Sequence, residues 1–274
     1  MIGVFDSGFG GLTVLKEILK KLPQYSYVYL GDNARAPYGA RSQEVIYRYT
    51  KEAVDYLFKS GCQLVILACN TASAESLRRL QQEYLPQAYP GKSATDPARR
   101  ILGVVIPLAQ EAAKLSKAKR VGVIGTEGTI ASGTYVREIK KIDSQIKVFQ
   151  QACSLLVPLI EAGWQKRVET KMILKKYLRN LKSQQLDLLI LGCTHYPVLL
   201  KEVRRIMGKR VLVPNPGEVV ANRLVEYLKN HSEIEGQLEK TGGRCYLTTD
   251  QTEKFSILGS FFLGHQIQAE KIVL

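Results

Sequence analysis

The amino-acid sequence predicts an α/β fold with two similar parallel-sheet domains, related by approximate internal duplication, and an active site in the cleft between them. Three observations support this. Short apolar runs alternate with segments of helical periodicity, and strands that alternate with helices form parallel sheets. The alternation stops at a proline-rich stretch and then begins again. The second half also contains near copies of two segments of the first half.

The first half contains a regular alternation of strands and helices. Short apolar runs predict buried strands, and apolar residues spaced by one helical turn predict helices that bury one face. Pro23 ends the first helix, because proline has no backbone N–H to donate. The predicted elements are a strand at Ile2–Phe5, a helix at Leu12–Leu22, a strand at Tyr27–Leu30, a helix at Ser42–Lys59, a strand at Leu64–Ala68 and a helix at Ser73–Tyr84.

Residues 86–100 separate the two halves. They contain three prolines and one glycine, which predicts a loop without a regular element. The alternation then resumes, and a further helix follows the strand that ends at Leu191. The second half has predicted strands at Ile101–Val105, Val121–Ile124, Val148–Gln151, Leu186–Leu191 and, as the last strand, Cys245–Thr248, and predicted helices at Leu108–Leu115, Val168–Lys182 and Glu218–Lys229.

Two pairs of segments indicate an approximate internal duplication. The run that begins at Ile2 resembles the run that begins at Val121, and Leu64–Thr71 resembles Leu188–His195. In the second pair, a cysteine and then a threonine-containing turn follow the apolar strand in both copies, which disfavours chance similarity. We therefore predict one domain from residues 1–97 and 213–274, and a second domain from residues 98–212.

Composition excludes several classes of protein. No run of about 18 apolar residues exists, so neither a transmembrane helix nor a membrane partner is expected. The N-terminus lacks the pattern of a secretory signal, which predicts a cytoplasmic location. The five cysteines form no C-x-x-C pair and are odd in number, which disfavours a disulfide framework. With three histidines and no H-E-x-x-H motif, a metal site is not expected.

The positive charge is concentrated in the predicted second domain. Residues 98–212 contain 22 Lys and Arg against 8 Asp and Glu, whereas the rest of the chain has 17 of each. One interpretation is a solvated basic surface that aids solubility. The alternative is contact with nucleic acid or another polyanion, although no recognised nucleic-acid motif accompanies the charge.

Cys69 and Cys193 are the strongest candidates for chemistry. Each follows a predicted strand and precedes a predicted helix, and ligands bind at the carboxyl ends of parallel strands. A helix N-terminus favours an anion, so we expect a lowered thiol pKa at both positions. The N–H groups of the residues after each cysteine could hold a carboxylate. The other three cysteines, Cys62, Cys153 and Cys245, are interpreted as small core residues.

Two opposed thiols suit one reaction in particular. A thiolate can remove a proton next to a carboxylate, while a thiol supplies a proton on the opposite face, which inverts the stereocentre. A peptidase would instead need one cysteine with a base and an orienting group. Asp6 could bind a substrate ammonium group or tune Cys69, or it could simply cap a turn. The glycines after Asp6 lack G-x-G-x-x-G spacing, and no Walker A sequence exists, which excludes a nucleotide site on that loop.

Five segments carry a family resemblance, namely Gly3–Gly8, Gly31-Asp32 with Arg35 and Pro37–Gly39, Ala68–Ser73, Val157–Glu161 and Gly192–Pro197. Together they resemble the glutamate racemases of the aspartate/glutamate racemase superfamily. They occur in the family's order and span most of the chain, and the two cysteine segments are highly specific together. The resemblance implies interconversion of L- and D-glutamate without pyridoxal phosphate or another cofactor, and supply of D-glutamate for peptidoglycan.

The resemblance also implies residue roles. Cys69 is expected to be the base for D-glutamate and Cys193 the base for L-glutamate. Four residues match positions that assist the cysteines, namely Asp6, Asp32, Glu161 and His195. The positions that match substrate-binding residues are Asp6, Ser7, Pro37, Tyr38, Gly39, Asn70, Thr71, Thr126, Thr129, Thr194 and His195.

The sequence departs from the family pattern at several places, and alternatives stay open. Cys153-Ser154 replaces a common Cys-Pro, Val104–Pro107 replaces a usual Ile-Glu-Pro, and residues 86–100 resemble an insertion. These changes bear on a homodimer interface and on inter-domain packing more than on the reaction. The nearest alternative is a racemase for aspartate or another amino acid. An alternative of another class is a DNA- or partner-binding protein that uses the basic domain.

Overall fold

The computed structural model describes residues 1–91 and 99–274, and its strands form two parallel sheets, which confirms the predicted α/β class. The strands are short, and those in the centre of the larger sheet are buried on both faces, as apolar runs without alternation predict. They are β1 Ile2–Asp6, β2 Tyr27–Gly31, β3 Leu64–Leu67, β4 Arg100–Gly103, β5 Arg120–Gly125, β6 Lys147–Ala152, β7 Leu188–Gly192, β8 Arg244–Thr248 and β9 Glu270–Lys271.

Helices cover both sheets. The first turn of α11 contains Pro216, in a position where a missing N–H costs no hydrogen bond. A π-helical turn at Leu80–Tyr84 joins two of the helices. The α-helices are α1 Leu12–Lys21, α2 Gln43–Lys59, α3 Asn70–Arg79, α4 Leu85–Ala88, α5 Val105–Leu115, α6 Glu127–Ala131, α7 Thr134–Ile142, α8 Leu156–Glu161, α9 Val168–Ser183, α10 Leu200–Met207, α11 Pro216–Asn230, α12 Ser232–Glu235 and α13 Thr252–Leu263.

The two sheets share a topological core. The larger sheet has the strand order β4-β3-β1-β2-β8-β9, and the smaller has the order β6-β5-β7. In each sheet the central strand, β1 or β5, lies between the next two strands along its part of the chain. The repeated segments therefore occupy equivalent places, because β1 corresponds to β5 and β3 corresponds to β7. Cys69 and Cys193 follow β3 and β7, so both lie at carboxyl ends of strands.

The predicted assignment of the strand after residue 100 to the second domain is wrong. β4 pairs with β3 and is an edge strand of the larger sheet. The predicted strand Ile101–Val105 also ends earlier, at Gly103, and α5 begins at Val105 rather than at Leu108. Pro107 lies in the first turn of α5, where proline does not interrupt a helix. The remaining division of the chain into two domains stays a prediction.

Two further predictions need correction. The loop predicted for 86–100 begins later, because residues 86–88 belong to α4, whose first turn contains Pro86. The rest of that prediction falls partly on residues 92–98, which lie outside the described residues. Cys245–Thr248 is not the last strand, since α13 and the two-residue strand β9 follow it, and β9 extends the larger sheet beyond β8.

The C-terminal helices complete the core of the larger sheet. α1 packs against both α11 and α13, and Phe255 of α13 is fully buried against Phe9 and Tyr29. These contacts bring the last part of the chain back to the turn after β1, next to the carboxyl edge of the sheet. Among the described residues, no helix is both long and apolar enough to cross a membrane.

Candidate active site

A cleft of about 470 Å³ lies where the carboxyl ends of the two sheets face each other. Both Cys69 and Cys193 line it, so the structure brings the two candidate cysteines to one site. Three predicted site residues, Asp6, Asp32 and Thr129, are fully buried behind its walls. The other predicted residues in the lining are Ser7, Pro37, Tyr38, Gly39, Asn70, Thr71, Thr126, Glu161, Thr194 and His195.

Cys69 is the N-cap residue of α3. Its backbone is extended, and its Sγ accepts a hydrogen bond from the Ala72 N–H at 3.5 Å. The Ser7 hydroxyl lies 3.4 Å from the same sulfur. These contacts fix the thiol at the end of β3 with its sulfur directed into the cleft. The predicted position at a helix N-terminus is therefore confirmed for Cys69.

The predicted low pKa of Cys69 is not what the structure gives. Burial raises the pKa of Cys69 to about 12, and the nearby Asp6 carboxylate raises it as well. Hydrogen bonds from Ser7 and the Ala72 N–H lower the pKa, but by less than burial raises it. At neutral pH, Cys69 is therefore a neutral thiol.

Cys193 lies in a different local structure. It follows β7 directly, but the next residues form a turn and a short 3₁₀ segment, Tyr196–Leu199, before α10 begins. The prediction that Cys193 precedes an α-helix directly is therefore wrong. Its Sγ lies 4.0 Å from Nδ1 of His195, and Nε2 of His195 lies 2.9 Å from a Glu161 carboxylate oxygen. The sulfur of Cys193 thus lies beside the His195 ring, whereas the sulfur of Cys69 lies beside the helix N–H of Ala72.

His195 carries a positive charge next to Cys193. Burial lowers its pKa, but hydrogen bonds to Cys193 and Glu161 and the charges of both groups raise the pKa of His195 to about 10. At neutral pH the ring is therefore an imidazolium whose two N–H groups face Cys193 and Glu161. Phe262 of α13 packs edge-on against the ring, with centroids 5.6 Å apart.

Asp6 connects the two halves of the site from behind. One carboxylate oxygen accepts a hydrogen bond from the Thr194 hydroxyl at 3.1 Å, and the other accepts one from the Gly8 N–H at 3.0 Å. Burial raises the pKa of Asp6, whereas the charge of His195 and the hydrogen bonds from its neighbours lower it. Asp6 is the last residue of β1 in the larger sheet, and Thr194 follows β7 of the smaller sheet, so this contact positions the two cysteine turns relative to each other.

Asp32 supports a wall of the cleft through Tyr38. The Tyr38 hydroxyl donates a hydrogen bond of 2.5 Å to Asp32, and Arg35 binds the same carboxylate at 2.6 Å. The Thr249 hydroxyl, after β8, donates a hydrogen bond of 2.9 Å to the other carboxylate oxygen of Asp32. Asp32 is fully buried, so it reaches the cleft only through the groups that it orients.

Three threonines join the two sheets on the opposite side. The Thr71 hydroxyl, in the first turn of α3, lies 2.9 Å from the Thr126 hydroxyl and 3.1 Å from the Thr129 hydroxyl. Gly39 packs against this cluster, and a Cβ at that position would lie 2.7 Å from the Thr126 Cβ. The chain therefore needs glycine at Gly39 to approach so closely.

Sequence reasoning missed several residues of the lining. Asp250 and Lys254 come from the C-terminal segment, at the end of β8 and the start of α13. The strand-end rule could have found Asp250, since it follows a predicted strand. Lys254 lies in a helix that was not predicted and therefore gave no signal. The other missed lining residues are Phe9, Asn33, Ala36, Ala40, Glu127, Ser154, Val157 and Pro158.

The polar groups of the cleft suit a small anionic molecule that can exchange a proton with a thiol. Hydroxyls of Ser7 and Thr71 and the ammonium group of Lys254 can donate hydrogen bonds, and the two thiols can exchange protons. Within residues 1–91 and 99–274, no group of three or more His, Cys, Asp and Glu side chains is arranged to hold a metal ion.

Comparison with known proteins gives a consistent result. The family model for Asp/Glu/hydantoin racemases matches residues 2–221. A glutamate racemase of Geobacter metallireducens is 40% identical over 267 residues, which cover 97% of this chain and 93% of that protein. The crystal structure of a glutamate racemase isoform from Bacillus anthracis is 34% identical, with a TM-score of 0.89 over 100% of this chain and 97% of that one. That of Francisella tularensis glutamate racemase with D-glutamate is 30% identical, with a TM-score of 0.86, covering 99% and 97%.

Proposed function

The chain belongs to the Asp/Glu/hydantoin racemase family, and we propose that it interconverts L- and D-glutamate in the cleft between its two sheets. The observation that carries this proposal is that Cys69 and Cys193 both line one cleft, each at the carboxyl end of an equivalent strand. The likeness to glutamate racemases over nearly the whole chain supports glutamate as the substrate.

The proposed reaction uses one thiolate and one thiol. The thiolate removes the α-proton, so that the C–H bond breaks and an S–H bond forms. The electron pair is left on the α-carbon and its carboxylate, where hydrogen-bond donors stabilise the charge. The thiol on the other side then gives its proton to the opposite face of that carbon. Charge and protons balance, and the two sulfurs have exchanged their protonation states.

The neighbours of the cysteines support a division of labour between them. We assign Cys193 as the base for L-glutamate, because the His195 imidazolium lies beside it, with Nδ1 4.0 Å from the Cys193 Sγ. Cys69, which is a neutral thiol at neutral pH, supplies the proton on the other face. In the reverse direction, Cys69 must lose its proton to act as the base for D-glutamate. Glu161 holds His195 in place and balances its charge.

Substrate binding is assigned to the cleft walls. We propose that the first turn of α3 at Asn70 and Thr71, together with Ser7 and Thr194, holds the carboxylate next to the reacting carbon. The remaining walls are formed by Pro37, Tyr38, Gly39 and Thr126, and Thr129 supports Thr126 from behind. Asp6 and Asp32 act as positioning residues, because both are buried and act through Thr194 and Tyr38.

The setting of the reaction follows from the family. We propose that the protein works in the cytoplasm, without an organic cofactor, and that its D-glutamate serves peptidoglycan synthesis. A homodimer is the proposed assembly. These assignments rest on the relatives that the chain resembles.

Circular dichroism tests the function directly. Purified protein is mixed separately with L- and D-glutamate, without added cofactor, and we expect the signal of each solution to decay to zero. Parallel samples contain L- and D-aspartate, which should keep their signals. A folded protein that leaves both glutamate signals unchanged would contradict the proposed function, and decay with aspartate alone would reassign the substrate.

A further inference from the structure

The exposed face of α9 begins with apolar side chains. Val168 and Met172 lie one helical turn apart and are 63% and 65% exposed. Trp164, in the turn that leads into the helix, is 44% exposed. Large apolar side chains that are exposed at successive turns indicate an interaction surface. None of the three lines the cleft, so this surface is separate from the proposed active site.

The same face continues with cations. Lys175, Lys176 and Arg179 are exposed on the following turns of α9. The segment from Trp164 to Ser183 contains seven Lys and Arg residues and a single acidic residue, Glu169. We call the six residues Trp164, Val168, Met172, Lys175, Lys176 and Arg179 the α9 surface.

The neighbouring helix extends this positive region. α10 packs against α9. A hydrogen bond from Arg205 lowers the pKa of Glu202 on α10, and the charges of Lys171 and Lys175 on α9 lower it further. The cations of both helices therefore act on one carboxylate and form a continuous basic region beside the apolar side chains.

We propose that the α9 surface docks the protein on an anionic lipid membrane. Trp164, Val168 and Met172 enter the headgroup region, where tryptophan is favoured, and the cations lie against the lipid phosphates. Such a contact is peripheral and needs no membrane-spanning helix. It differs from the sequence-based expectation of no membrane partner, which rested on the absence of a long apolar run.

Charge and apolarity together favour a membrane over other occupants. In a two-fold dimer through this face, the surface would meet itself and bring like charges together. A nucleic acid would use the cations but gains little from exposed Val168 and Met172, because its affinity comes mainly from phosphate contacts. An anionic membrane matches both parts of the surface at once.

The experiment uses Trp164 as a reporter, since it is the only tryptophan in the chain. The full-length protein is mixed with phosphatidylglycerol vesicles or with phosphatidylcholine vesicles and sedimented. We expect about tenfold more protein on the anionic vesicles at low salt, and a steep decrease at about 0.5 M salt. Tryptophan emission should shift to shorter wavelength on the anionic vesicles and be quenched by brominated acyl chains.

Two sets of variants separate the contributions. Met172→Ser with Val168→Ser should keep weak, salt-sensitive binding but lose most of the tryptophan shift. Lys175→Glu with Lys176→Glu and Arg179→Glu should abolish vesicle binding. The matched controls are Ile257→Ser, since Ile257 is also 65% exposed, and Lys229→Glu, and both should bind as the parent does. All variants should keep the parent's far-ultraviolet circular dichroism and its racemisation rate in solution.

Several results would overturn the proposal. Equal sedimentation with both lipids would show that the cations do not drive binding. An unchanged tryptophan spectrum on bound protein would show that the apolar residues do not enter the membrane. Retention by DNA but not by vesicles would assign the surface to a nucleic acid. A dimer that Met172→Ser dissociates would assign it to a second copy of the chain. Each readout is independent of the racemase proposal.

Discussion

The surroundings of Cys69 and Cys193 differ, although the two cysteines end equivalent strands. Cys69 caps α3 and contacts the Ser7 hydroxyl, and its pKa is raised first by burial and then by Asp6. Cys193 precedes a turn in which His195 is paired with Glu161. The internal repeat therefore reproduces the positions of the two cysteines in the fold, but not the charges and hydrogen bonds around them. The difference indicates that the resting site is asymmetric, with a thiol on one side and a sulfur beside a cation on the other.

The largest expected effect comes from removing either sulfur. Cys69→Ser and Cys193→Ser should each reduce racemisation by about 10³-fold or more, because a hydroxyl is a much poorer base than a thiolate. Each variant keeps one thiol, so each should still eliminate a good leaving group from the β-carbon of one enantiomer. We expect Cys193→Ser to act on the D form and Cys69→Ser on the L form.

The control for the cysteine variants is Cys245→Ser, which changes a half-buried thiol on β8. It should keep racemisation and both eliminations. Equal residual elimination of both enantiomers by one active-site variant would contradict the two-base mechanism. Loss of activity in folded Cys245→Ser would show that the wrong cysteines were chosen.

The second prediction tests the asymmetry itself. His195→Gln removes the cation beside Cys193, and elimination from the L analogue should decrease by about 10²-fold. Elimination from the D analogue, which uses Cys69, should change much less. Racemisation cannot reveal this difference, because the enantiomers have equal free energies and kcat/KM must therefore change by the same factor in both directions. Equal losses in the two eliminations would refute a specific role for His195 at Cys193.

A third prediction concerns stability and pH. The pKa of His195 is raised from 6.5 to about 10, so its interactions stabilise the folded state fully below pH 6.5 and this contribution is lost as pH rises towards 10. The difference in unfolding free energy between the parent and His195→Gln should therefore shrink over that range, measured by urea denaturation. The exposed His265, replaced by glutamine, is the control and should leave the free energy of unfolding close to that of the parent. A His195→Gln difference that grows with pH would contradict the assigned ion pair.

We expect the smallest effect from a change at Thr71, because this residue is assigned to substrate binding for both enantiomers of glutamate. Thr71→Val removes the hydroxyl that joins α3 to Thr126 and Thr129. Because one hydrogen bond contributes modestly, KM for both enantiomers should rise by about fivefold, with little change in stability. Thr50→Val is the matched control, since Thr50 is buried on α2 away from the cleft. A change in KM for only one enantiomer would place Thr71 on one side of the mechanism.

Much of the site could be predicted from the sequence, because the end of a strand is visible in the local pattern of apolar residues. The apolar runs before Cys69 and Cys193 predicted their places at strand ends, and the parallel fold brought both to one cleft. The same reasoning failed for Lys254, since α13 was not recognised as a helix. It also failed for β4, because partner choice in a sheet depends on contacts between distant parts of the chain, which a local pattern does not contain.

The sequence by itself determined the alternation of strands and helices, the repeated cysteine segments and the class of chemistry that two thiols permit. Only the tertiary structure decided how each thiol is tuned. A helix N-terminus predicts a low pKa for Cys69, but burial among residues from several elements raises it to about 12. The pairing of His195 with Glu161 likewise joins residues 34 positions apart. Hydrophobic periodicity depends on residues that are close in the sequence. The pKa of a thiol depends on desolvation and on charges, and therefore on residues that are close in space.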